Sequence, residues 1–274
     1  MARAALKPAI LEVKKTHVAL AGVGAFMQMS QPTTATCRRL SATDAGLVFV
    51  KDGRKIIHQD GLELIVPPGS AVVLPTGSEF DITNEVGSSG FYEAMVVYFD
   101  PSILPTMPAP KTKPVETVIS LGRVKPEFVA AMEAAVTVLE DPSLPSQIAA
   151  HRFGELLLWI QALGHSIVKP VTQNLLNEVR KLLSTDPSAK WTTTQIAKEL
   201  AVSEATLRRK LAKAGTTLTD ISIDVRMTCA LGMLQSSEEN ITGIALAVGY
   251  DSPSRFALRF RDRFGVSPSD FRRS

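Results

Sequence analysis

Two spacings of apolar residues divide the 274-residue chain. Through residues 47–99 they come in short runs, at 47–50, 56–58, 62–66, 71–74, 80–83 and 92–99. Turn formers separate the runs: Lys51-Asp52-Gly53, Asp60-Gly61, Pro67-Pro68-Gly69, Pro75-Thr76-Gly77 and Gly87-Ser88-Ser89-Gly90. Short strands so punctuated predict a small β-sandwich or barrel. The interior of such a barrel is either filled by side chains or holds one small ligand. A further apolar stretch, 18–27, reads as an earlier buried strand. Five prolines within 101–114 end the sheet region, since proline suits neither helix nor central strand.

Beyond the prolines the apolar spacing becomes helical. Pro126 suits a first helical position, and Phe128, Val129, Met132, Val136 and Leu139 make one stripe. Residues 146–167 predict a second helix with Phe153, Leu156, Leu157, Ile160, Leu163 and Ile167 on its apolar side. These stripes either close over the β region or form a two-fold dimer contact; the pattern serves both equally. Lys169-Pro170 marks a boundary, which divides the chain into residues 1–170 and 171–274.

The second part contains a repeat. Ile196-Ala197, Leu200-Ala201-Val202 and Ser203 recur 48 residues later as Ile244-Ala245, Val248-Gly249-Tyr250 and Asp251. Leu207 and Leu211 recur at an offset of 49 as Phe256 and Phe260, so the second copy has gained one residue. Each copy reads as helix, tight turn, helix. Ala197 and Ala245 permit close helix approach, Ala201 and Gly249 open the turn, and Ser203 and Asp251 or Ser252 cap the second helix. This is the helix-turn-helix pattern, whose second helix enters the DNA major groove. The two motifs span about 192–214 and 241–264, joined by a linker helix over about 218–236. Apolar positions Leu218, Ile221, Val225, Leu231 and Leu234 support that helix, although Gly232 weakens it. Its core of 218–235 is about 27 Å long, enough to set two recognition helices in successive major grooves.

Composition sharpens this picture through the distribution of charge. The net charge is only +3. Residues 1–170 hold 15 basic and 16 acidic side chains, which leaves 15 and 11 for residues 171–274. The excess positive charge therefore lies entirely in the repeat-bearing part. Residues 203–214 carry Arg208, Arg209, Lys210 and Lys213; residues 253–264 carry Arg255, Arg259, Arg261 and Arg263 against Asp262. One basic helix is usually a solvated face, whereas two at the same place in a duplicated motif point to nucleic acid. The modest excess argues against a sequence-independent architectural protein, which relies on a larger one.

Other chemistry finds little footing. Cys37 and Cys229 are the only cysteines, too few for a disulfide scaffold. Cys37 has no metal-ligand spacing around it, which argues against a DNA-repair methyl acceptor. Gly22-Val23-Gly24 lacks the third glycine of a phosphate loop. The stretch 18–27, preceded by Lys14 and Lys15, falls short of the about 20 residues that span a bilayer, and Gln28-Met29-Ser30-Gln31-Pro32 is a poor cleavage site. A cytoplasmic protein without a membrane segment is expected.

At residues 172–274 the sequence resembles the AraC/XylS family of bacterial transcription regulators. The resemblance rests on the paired motifs, the linker helix, Ile244-Ala245 with Gly249-Tyr250, and the ending Phe260-Arg261-Asp262-Arg263-Phe264-Gly265-Val266-Ser267-Pro268-Ser269-Asp270-Phe271-Arg272. The N-terminal half resembles the family's cupin-like barrel more loosely, through Pro68-Gly69-Ser70-Ala71-Val72-Val73-Leu74-Pro75-Thr76-Gly77. The resemblance implies an α+β chain: an N-terminal cupin-like β-barrel (about 10–100) with flanking helices, and a C-terminal all-α domain with two helix-turn-helix subdomains. The closer match, at 172–274, also bears on single positions. It places base-contacting positions at Ala205, Arg208 and Arg209 in the first recognition helix, and at Ser254, Arg255 and Leu258 in the second. Lys210, Lys213, Arg259 and Arg261 join them as DNA-binding residues. Many members have arginine where Leu258 stands and a basic residue where Asp262 stands; Leu258 suits a thymine methyl instead.

The same resemblance implies an activator that contacts double-stranded promoter DNA and RNA polymerase. Its barrel would respond to a small effector or a regulatory protein and serve for homodimerisation. Enzymatic cupins hold a metal through a His-x-His pair, whereas here His58 stands alone, 41 residues from His17. No catalytic residue, metal or cofactor is therefore expected. Asn240 and Thr242 stand where the fatty-acid-responsive members carry a basic residue.

Overall fold

The computed structural model describes residues 17–169, 175–237 and 239–273. The expected boundary at Pro170, and whatever belongs to the first domain before residue 17, lie outside the described residues.

Nine strands come first: β1 (His17–Leu20), β2 (Gly24–Gln31), β3 (Ala35–Ser41), β4 (Ala45–Asp52), β5 (Arg54–Gln59), β6 (Leu62–Val66), β7 (Ser70–Leu74), β8 (Glu79–Glu85) and β9 (Tyr92–Phe99). After the proline-rich stretch come β10 (Lys113–Pro114), β11 (Ile119–Arg123), α1 (Pro126–Glu140), α2 (Ser146–Ala162) and β12 (His165–Ser166). Two antiparallel sheets result, one in the order β1-β2-β9-β4-β7-β11 and one in the order β3-β8-β5-β6, with β10 and β12 as a small parallel pair. The sheets face each other without closing into a continuous barrel. Met29, Val48, Val50, Val72, Ala94 and Val96 from the first meet Cys37, Ile57, Val66, Phe80 and Ile82 from the second.

The sequence pattern explains which strands lie where. Along β8 burial alternates, with Phe80, Ile82 and Asn84 turned inward, as expected of a strand with one wet face. The runs in β4 and β7 are apolar without alternation because both faces are covered. On the far face of the larger sheet, Leu47, Val73, Met95, Val97 and Phe99 pack under Phe128 and Met132 of α1 and Phe153, Leu156 and Ile160 of α2. The apolar stripes of these helices thus cover the sheet, while Leu158 remains 64% exposed on the outer side of α2.

Two local expectations are corrected. Residues 18–27 are not one strand but part of the β1–β2 hairpin, which turns at Gly22 with φ +78°. The second helix stops at Ala162 rather than Ile167. Gly164 takes φ +88°, a conformation open mainly to glycine, and leads the chain into β12. His58 is paired at 3.7 Å with Glu63 on the adjacent strand, both side chains about half exposed.

The helical part comprises α3 (Leu175–Thr185), α4 (Thr193–Glu199), α5 (Glu204–Lys213), α6 (Leu218–Ser236), α7 (Ile241–Ala247), α8 (Pro253–Phe264) and α9 (Pro268–Arg273). It has two cores. Leu175, Val179, Leu183, Ile196, Leu207, Leu211, Ile221 and Val225 form the first. Met227, Ala230, Leu234, Ile244, Phe256, Phe260 and Phe264 form the second, which is continuous with the apolar layer between the two sheets. The first core has a separate contact with the sheets through ion pairs on α3: Lys181 reaches Asp44 at 2.8 Å, and Arg180 pairs with Glu79.

A lysine is buried between the sheets. Lys55 is fully buried, donates to Asn84 Oδ1 at 2.6 Å and sits 5.2 Å from the Tyr92 ring centre. Burial holds its ammonium down at about 8, from an ordinary 10.5. A lysine whose folded pKa is depressed opposes folding while charged, fully below pH 8, and ceases to do so as pH rises to 10.5. Lys55→Met is therefore expected to raise stability at pH 7 by up to about 3 kcal/mol. Denaturant unfolding of both proteins from pH 7 to 10.5 should show that advantage shrinking; a constant difference would contradict it.

Candidate nucleic-acid interface

Each recognition helix is held by the local chemistry of its motif. In the first, Thr192 and Gln195 form a capping box that starts α4. The chain then turns through Ala201, at φ +52°, and Ser203 Oγ accepts from Thr206 N–H at 3.1 Å to start α5. In the second, Asn240 caps α7 by accepting from Gly243 N–H at 2.8 Å, and the turn passes through Gly249 at φ +80°. The turns match bond for bond. Ala201 N–H donates to Lys198 O and Val202 N–H to Ala197 O; 48 residues on, Gly249 N–H donates to Leu246 O and Tyr250 N–H to Ala245 O. Ser252 then caps α8, at an offset of 49 from Ser203. Asp251 is thus the inserted residue and Ser252 the cap.

Burial of one side of each recognition helix leaves the other in solvent. Leu207 and Leu211 turn α5 inward, so Ala205, Arg208 and Arg209 share the opposite face, flanked by Lys210 and Lys213; all five are exposed. Arg208 also pairs with Glu204 at 2.9 Å, one turn earlier. Phe256 and Phe260 turn α8 inward, which leaves Ser254, Arg255, Leu258, Arg259, Arg261 and Asp262 exposed. Leu258 is 51% exposed in the middle of this polar face.

Arg263 departs from the sequence reading. It is not on the outer basic face but buried on the inner side of α8, 3.4 Å from Asp224 of α6, where α8 lies against β3. Burial raises the Cys37 thiol on β3 to about 11 despite the opposing pull of Lys55 and Arg263. Helical spacing offered a warning, since Arg263 stands seven residues after Phe256 and next to Phe264.

The turn glycine has little room. A side-chain carbon at Gly249 would fall 2.9 Å from Ser188 Cα and 3.0 Å from Ser188 O, whereas one at Gly215, also left-handed at φ +67°, meets nothing. Gly215→Ala should cost about 1–2 kcal/mol of unfolding free energy for the backbone conformation. Gly249→Ala should cost roughly 1–3 kcal/mol more for the clash. Chemical denaturation of the pair tests this, and equal costs would show that the turn yields.

Comparisons with known proteins bear on the same region. Residues 196–274 match a family model described as a helix-turn-helix domain. The transcriptional regulator SirC of Salmonella typhimurium (strain SL1344) is 33% identical over 97 residues, covering 35% of this chain and 33% of SirC. The virulence regulon transcriptional activator VirF of Shigella flexneri is 28% identical over 111 residues, covering 40% of this chain and 42% of VirF. The chain thus spans well under half the length of these relatives. A crystal structure of apo ToxT from Vibrio cholerae shares the fold, with a TM-score of 0.68 over 90% of this chain and 96% of that one at 13% identity. The AraC/XylS resemblance thus holds for the paired helix-turn-helix part, and the α+β architecture for the chain.

Proposed function

We propose that the chain is a sequence-specific DNA-binding transcription regulator of the AraC/XylS type, and an activator. One observation carries this reading. Two helix-turn-helix motifs with the same turn hydrogen bonds hang from one helix, each presenting an exposed basic face. Relatives named as transcriptional regulators match the same stretch. The division into a regulatory domain over 1–170 and a DNA-binding domain over 171–274 belongs to this proposal. So do action in the cytoplasm, contact with RNA polymerase, homodimerisation and a regulatory rather than catalytic role. No helix among the described residues is long and apolar enough to cross a membrane.

In this reading Arg208, Arg209 and Arg255 address base edges and Leu258 a thymine methyl, while Lys210, Lys213, Arg259 and Arg261 neutralise phosphates. The N-terminal domain takes a small effector or a protein. A ToxT structure is described as bound to an unsaturated fatty acid. In this chain Asn240 is engaged as the α7 cap and Thr242 is uncharged, so that stretch supplies no cation for a carboxylate.

Binding should weaken steeply with salt as counterions are displaced from DNA. With a site selected from random duplexes, Arg209→Ala should lose ~1–3 kcal/mol of discrimination at one base position. Lys213→Ala should weaken all sequences alike and lower the salt slope by about one. Titrations against single-base variants at several salt concentrations check both. Uniform loss for Arg209→Ala would demote that residue to a phosphate contact.

A further inference from the structure

The two motifs are joined by more than the linker helix. Half-buried Arg226 lies midway along α6, between Val225, in the first core, and Met227, in the second. Its guanidinium donates Nε–H to Pro187 O at 2.9 Å and Nη2–H to Ala189 O at 3.2 Å, both in the loop that leads into the first motif. Nη1–H points to Gly249 O, 3.4 Å away, in the turn of the second motif. The Tyr250 ring centre lies 6.0 Å from the guanidinium carbon. Both surfaces gripped are firm. Asp186 accepts from the backbone N–H groups of Ser188 and Ala189, Trp191 Nε1–H donates to Asp186 O, and Gly249 nests against Ser188.

We propose that Arg226 is a positioning residue that fixes the phase between the two recognition helices, and so the spacing of the two DNA half-sites. This rests on the reading that both motifs bind DNA. A planar guanidinium reaches three carbonyls at fixed angles, whereas a lysine ammonium is a point charge on a flexible stem. Each motif keeps its own apolar core, so removing the clamp leaves both folded. What remains between them is α6, the close approach of Gly249 to Ser188 and the contacts each makes with the sheets, none of which fixes angles as the three guanidinium hydrogen bonds do. The second motif, once the first is bound, then samples a wider range of positions, and its effective concentration at its half-site falls.

The experiment uses the full chain and a bipartite site selected from random duplex DNA. Affinity is measured for that site, for each half-site alone, and for versions with the spacer changed by one or two base pairs, each pair turning the second half-site by roughly 35°. The wild type should lose on the order of tenfold with each change. Arg226→Ala should bind the original site about tenfold more weakly, keep its affinity for single half-sites, and discriminate spacers less than about threefold. Arg226→Lys, which retains charge without the fork, should resemble alanine. Full spacer discrimination in Arg226→Ala, or an equal loss on single half-sites, overturns the positioning role. A wild type that selects only one half-site overturns the underlying two-motif reading instead.

Discussion

Burial of α6 on two fronts holds the helical half together. Ile221 and Val225 enter the core beneath α5, while Met227, Ala230 and Leu234 enter the core beneath α8. Neither motif could bury its inner face without this helix: α4 and α7 are seven residues each, too short to be stable alone. Sharing one scaffold makes the relative placement of the recognition helices a property of packing rather than of a tether. Motifs on a flexible linker would pay an ordering cost for simultaneous binding that this arrangement has already met during folding.

The same helix carries the contact with the sheets. The second core continues without a break into the layer between them, and Arg263 enters there with Asp224 as its partner. One side of α8 thus faces the N-terminal domain and the other faces solvent. Any change in the sheets that shifts β3 meets α8 directly, whereas α5 is buffered by its separate core. The ion pairs that α3 makes to the sheets through Arg180 and Lys181 involve partly exposed carboxylates and contribute little, so the helical part is held to the sheets mainly by the apolar packing of α6 and α8.

Much of this was legible in the sequence, for identifiable reasons. Strands β6 and β9 fall at their expected bounds because glycine, proline and aspartate fix the turns around them. The 48-residue repeat surfaced because both turns need the same small residues and the same pair of backbone bonds. Tertiary relations were not legible. Residues 18–27 have strand-like apolarity throughout, and only Gly22 betrays the hairpin. Arg263 looked like its neighbours Arg259 and Arg261 because charge type alone does not report which side of α8 meets α6. Arg226 gave no signal either: its partners are backbone carbonyls at residues 187, 189 and 249, which have no side-chain identity to read.

The two recognition helices are unequal, and this gives rigid placement its importance. Glu204 is the only acidic residue on α5, and it is paired with Arg208. The outer face of α8 sets Leu258 and Asp262 among its arginines, and a carboxylate beside DNA phosphates is repelled. A helix with weaker electrostatic attraction gains less from charge steering and more from being delivered in register. Its apolar contact is short-ranged, since a gap of even 0.5–1 Å forfeits roughly a quarter to a half of the dispersion well. On the proposed DNA contact Leu258 would read a base only if α8 arrived in place, and Arg226 of α6 ties the Gly249 turn to the loop before α4.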